Sequence, residues 1–154
     1  MEKRMFDTTP VLPHALRVAP VRVRHRREVI RWALARRHPV NRDALASIIA
    51  TRVIDADGSI STLWSVDDVD SLLMWGIDNW CRARGAAVPQ HIASTLDSYL
   101  LYLSANNVLD DRSDPLASLR RAVSESGVAE SRSDRTGHPS LLVQQRLAPV
   151  LPIG

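Results

Sequence analysis

Apolar positions recur at helical spacing along most of this chain, with polar and turn-forming residues between the runs. Val29, Ile30, Ala33 and Leu34 form the first run, which stops at His38-Pro39 because proline denies its predecessor the helical region. Asn41 is placed to cap a second helix over residues 42–52, whose stripe is Leu45, Ile48 and Ile49. The third element, Val66 to about Arg84, carries every local helix signal. Ser65 caps it, Asp67, Asp68 and Asp70 load its first turns, Arg82 and Arg84 close it, and Gly85 supplies a left-handed stop. Val69, Leu73, Ile77 and Trp80 are its apolar face, whereas Trp75 falls off that face.

A fourth helix is predicted from about Gln90 to Ala105, with Ile92, Leu96, Tyr99, Leu100 and Leu103 inward and Asn106-Asn107 as its end. A fifth starts at Ser113-Asp114-Pro115, carries Leu116, Leu119 and Val123, and ends at Gly127. Residues 1–24 hold three prolines and no helical period, and residues 124–140 are polar and aperiodic. The pattern therefore predicts an all-α fold, an irregular bundle of about five helices. Residues 1–24 would be a flexible, extended basic arm, 25–124 the helical domain, and 125–154 a polar linker with an apolar C-terminal tail. No sustained heptad favours a coiled coil.

Charge divides the chain further. Residues 1–52 hold twelve basic and four acidic side chains, net +8, while residues 53–115 hold three and ten, net −7. Such a split suits either a basic arm for an anionic partner or two halves that attract each other. In the second case Arg31, Arg36 or Arg37 should pair with Asp67, Asp68 or Asp70. Nineteen of the 20 basic residues are arginine, a skew that high-GC coding produces by itself, so arginine content alone says little about nucleic acid. No run approaches the roughly 20 apolar residues of a membrane span, and Pro10, Pro13 and Pro20 break up any signal-peptide core. The expectation is a cytoplasmic protein without membrane contact.

Catalytic and metal-binding signatures are missing from the pattern. The histidines His14, His25, His38, His91 and His138 stand far apart, a lone Cys81 excludes a multi-cysteine zinc site, and no glycine-rich phosphate loop occurs. Residues 53–61 contain Asp-Gly and resemble a calcium loop in part. Val53 and Trp64, however, fall where that loop needs carboxylates, which leaves a small hairpin or a plain turn. No enzyme activity, cofactor or metal is expected.

Two resemblances can be stated. Residues 73–109, with Trp80-Cys-Arg-Ala-Arg-Gly85, Pro89 and Tyr99-Leu-Leu-Tyr-Leu103, resemble the helical core-binding region of tyrosine recombinases, without room for the catalytic domain those enzymes need. A larger part is similar to small uncharacterised helical proteins of high-GC actinobacteria, through Val29-Ile-Arg-Trp-Ala-Leu34, His38-Pro-Val, Trp80-Cys81 and Ser113-Asp-Pro-Leu116. That resemblance implies no activity and no functional residue.

Two kinds of partner remain. A small helical binding or regulatory protein acting through protein–protein contacts is the leading expectation. Its candidate partner contacts are Trp75 and, within a Pro-Val-Leu-Pro repeat found at residues 10–13 and 149–152, Pro149 and Leu151. The alternative is DNA binding by a helix-turn-helix-like pair over residues 26–52 together with the basic arm. Its candidate contacts are Arg22, Arg24, Arg26, Arg27, Arg42 and Arg52, with residues 42–52 as the reading helix because the start of the next helix is acidic.

Overall fold

A computed structural model describes residues 14–136, with side chains described for residues 20–128. Five helices follow one another: α1 (His14–Ala35), α2 (Arg42–Thr51), α3, α4 (Ile92–Ala105) and α5 (Leu116–Thr136). Helix α3 has three stretches, Val66–Ser71, a π-helical turn Leu72–Gly76, and Ile77–Ala83. Among the described residues there is no strand, only a single antiparallel bridge between Ile54 and Ile60 across the Gly58 turn. The fold is an all-α irregular bundle. No described helix is long and apolar enough to cross a membrane.

Helix α2 is the hub. It packs on α1, on α4 and on the C-terminal stretch of α3, while α4 pairs with α5 and α5 with α3. Its Ala44, Leu45, Ile48 and Ile49 join Val69, Leu73, Ile77, Leu96, Tyr99, Leu100, Leu103 and Leu119 in one core, with Trp80 packed at its margin. Burying so many branched side chains together is the main stabilising term. The core residues Ser98 and Thr95 are satisfied, whereas the buried Trp64 Nε1 has no hydrogen-bond partner. Ser98 donates its hydroxyl to the Pro39 carbonyl at 2.6 Å, and Thr95 Oγ1 accepts from the Asn41 N–H at 3.0 Å, so α4 holds the link between α1 and α2.

Helix ends obey the local signals. Asn41 Oδ1 accepts from the Asp43 and Ala44 N–H groups, and Ser65 forms a reciprocal capping box with Asp68. Gly85 takes the left-handed conformation after α3, and Asn107 does so after α4. Ser113 and Asp114 do more than start α5. Ser113 Oγ accepts from the Trp64 N–H and Asp114 Oδ2 from the Val66 N–H, which latches the segment before α3 to the segment before α5.

The π turn follows from the spacing of the apolar face. Val69, Leu73, Ile77 and Cys81 recur at every fourth residue, which on a regular α-helix drifts by about 40° per step. A wider turn slows that rotation and keeps all four buried.

Three expectations are corrected. Residues 14–24 are helical, not extended, because Val21, His25 and Val29 recur at four-residue spacing and pack inward. That packing outweighs the one hydrogen bond Pro20 removes. Residues 125–136 continue α5, and Gly127 is not a stop but a helix-interior residue, where a Cβ would stand 3.1 Å from the Cβ of Ala93. Once a helix is nucleated each further residue adds a hydrogen bond without a new nucleation cost, so α5 extends past its packed face. Leu34, read as inward, is 61% exposed.

These positions predict opposite outcomes for two leucines. Leu100→Ala should lower the unfolding free energy by about 2–5 kcal/mol, and Leu34→Ala should stay within about 0.5 kcal/mol of the parent. Chemical denaturation of both variants measures the difference, and equal losses would mean that the inner face of α1 is misassigned.

Candidate functional site

Two of the arginines proposed for DNA, Arg22 and Arg52, are engaged within the fold. Arg52, which ends α2, lies half-buried with its guanidinium 3.9 Å from the ring centre of Trp64 and donates to the Leu63 carbonyl. Its own carbonyl accepts from Arg22 at 3.2 Å, which places a cation at the C-terminus of α2. Burial lowers the pKa of Arg52, an effect opposed by the carboxylates of Asp68 and Asp55. Arg22 and Arg52 are therefore occupied in holding α1, α2 and the segment before α3 together. Arg24, Arg27 and Arg42 are exposed and Arg26 is half-buried.

Helix α2 has little to offer a groove. Ser47 is buried with its hydroxyl bonded to the Ala44 carbonyl, Thr51 is bonded to the Ile48 carbonyl, and only Arg42 and Asp43 of the helix are exposed. Three other helices pack around α2, which leaves residues 44–51 no exposed side chain. Nor do the basic and acidic halves pair as expected. Among the described residues the ion pairs are Arg82 with Asp78, Arg112 with Asp110 and Arg120 with Asp97, and none joins α1 to the aspartates of α3. Arg36 instead lies over Trp32 at 4.9 Å, and Asp70 accepts from the Ser126 hydroxyl.

A run of aromatic contacts that sequence reading missed leads from the surface into the core. Trp32 stacks on His38 and meets Tyr102 edge-on, Tyr102 stacks on Tyr99, and Tyr99 meets Trp64 edge-on. His25 Nε2 and the Tyr99 hydroxyl are 2.8 Å apart. Burial pushes the Tyr99 phenol far above its ordinary range, so that hydroxyl stays protonated. Burial also lowers the pKa of His25, with Glu28 acting weakly in the other direction, which favours a neutral ring. A cleft of about 490 Å³ opens beside this pair, bordered by Arg24, Glu28, Asp55 and Tyr102. The only sequence signal for the pair was the Val21, His25, Val29 spacing, hidden by Pro20. Among the described residues no three His, Cys, Asp or Glu side chains converge to hold a metal ion.

Trp75 emerges differently. It and Met74 lie on the outer face of the π turn, 56% and 75% exposed, the two exposed residues of that turn. Of the remaining candidate contacts, Pro149 and Leu151 lie outside the described residues, as does the repeat at residues 10–13. The chain matches no family model, no curated protein and no solved structure.

The buried histidine carries a pH prediction. Because the folded pKa lies below the ordinary value of about 6.5, the unfolded chain takes up the proton first. The stability held by a neutral His25 is then present above that value and is lost as pH falls through the folded one. Denaturation at pH 8 and at pH 5 should show a loss for the parent that is smaller in His25→Gln. An equal loss in both proteins would place the acid sensitivity elsewhere.

Proposed function

We propose that this chain is a non-enzymatic helical binding or regulatory protein that works through protein–protein contacts, with the Met74–Trp75 face of α3 as its contact surface. The observation that carries this reading is the pairing of two large apolar side chains, side by side and in solvent, on a turn whose inward residues Leu72 and Leu73 are buried. Tryptophan and methionine are enriched where protein surfaces meet, and an exposed tryptophan is a common anchor of binding energy. A rigid, capped helix presents the pair at little entropic cost.

A second reading, contact with nucleic acid, is favoured by a separate observation. Arg24, Arg27 and Arg31 are exposed along the outer side of α1 and enter none of the described ion pairs. It relies on phosphate contacts by α1 in place of base reading by α2.

Affinity capture from the native host separates the two. Nuclease treatment should leave the captured protein partner in place, and Trp75→Ser should release it while the circular dichroism spectrum of the bait stays unchanged. A partner lost on nuclease treatment and kept by Trp75→Ser would move the assignment to nucleic acid.

A further inference from the structure

Tryptophan is used in one consistent way in this molecule. Arg36 lies over Trp32 at 4.9 Å, Arg52 over Trp64 at 3.9 Å and Arg84 over Trp80 at 4.2 Å. Trp75 is the fourth tryptophan, it is exposed, and among the described residues no guanidinium covers it. Around it the outer face of α3 is acidic, with Asp67 and Asp68 toward the N-terminus and Asp78 one turn on, the last already bound to Arg82.

The complementary face lies on the same chain. Val23, Arg27, Arg31 and Leu34 follow one another at steps of four, four and three along α1, all exposed, and so form one outward row. Leu34 is 61% exposed and Val23 is 37% exposed, so the row offers apolar contact at both ends and two guanidinium groups between. Helix α2 packs between α1 and the C-terminal stretch of α3, so the two faces do not neutralise each other within one molecule.

We infer that the chain associates with further copies of itself head to tail, the Met74–Trp75 face of α3 in one copy seating on the Val23–Leu34 row of α1 in the next. The occupant follows from charge and ring chemistry together: an arginine-bearing helix face of positive sign meets an uncovered tryptophan on a face of negative sign. Because the two surfaces differ, each copy keeps one free face after binding. Growth then continues past a dimer, into a ring or an open chain. This inference rests on the proposed contact surface and names its partner.

Sedimentation velocity on the full chain tests it. The mass of the parent should rise with concentration past that of a dimer, and high salt should reverse the rise, since the attraction is between exposed charges. Trp75→Ser retains only the α1 face and the double variant Arg27→Glu/Arg31→Glu retains only the α3 face. Each alone should be monomeric, and their mixture should form a one-to-one dimer and nothing larger. All the substituted residues are exposed, and circular dichroism verifies that both variants fold. A parent that stays monomeric at every concentration overturns self-association, and so does an arginine variant that dimerises by itself, which would indicate two α3 faces meeting. A monomeric parent that still loses a captured partner on Trp75→Ser would overturn this inference alone and leave the proposed contact surface standing.

Discussion

The guanidinium of Arg52 stacked on the buried indole of Trp64 is the contact on which the remaining structure depends. Trp64 is fully buried, yet it belongs to an irregular segment with no helix of its own to hold it. Arg52 fixes it from the end of α2 by lying over the ring and by donating to the preceding carbonyl, while Arg22 of α1 holds the carbonyl of Arg52. Three elements distant in sequence thereby meet at one cation. A cation–π contact with a half-buried cation contributes about 1–2 kcal/mol, more than most solvated surface pairs. The Ser113–Asp114 latch then completes the same segment from the side of α5.

Making α2 the hub has a functional consequence. A helix packed on three neighbours has little face left to offer, so the recognition proposed for this chain falls to the outer sides of α1 and α3. Those two sides carry opposite charge, and each also exposes large apolar groups, Leu34 on one and Met74 with Trp75 on the other. Among the described residues, the charge split along the sequence is not closed by ion pairs between α1 and the aspartates of α3. The π turn adds to this arrangement, because the widening that keeps Ile77 and Cys81 inward leaves Met74 and Trp75 outward.

Elements set by neighbouring residues were legible in advance. Asn41, Ser65 with its acidic partner, Gly85 and Asn107 bound their helices as their side chains and backbone preferences require. The stripes of α4 and α5 needed only periodicity. The π turn was not legible: the face expected to end at Trp80 ends at Cys81, and the four-residue spacing of Val69, Leu73, Ile77 and Cys81 shows only once the buried set is known. Pro20 and Gly127 misled because each has a local meaning that tertiary packing overrode, the first through the Val21–Val29 stripe and the second through its close approach to Ala93. Of the candidate contacts, Trp75 was legible as a residue off the apolar face. The roles of Arg22 and Arg52 were not, since the ring and carbonyls that occupy them lie eleven or more residues away. The His25–Tyr99 bond spans 74 residues, and its one local trace is the Val21, His25, Val29 spacing that Pro20 masks.

A double-mutant cycle between Arg52→Met and Trp64→Phe, followed by chemical denaturation, tests the central contact most directly. Methionine keeps the aliphatic packing of the arginine stem and phenylalanine keeps a ring, so the cycle isolates the attraction between cation and indole. A favourable coupling of about 1–2 kcal/mol is predicted. Strictly additive effects would contradict it and would mean that Trp64 is held by burial alone.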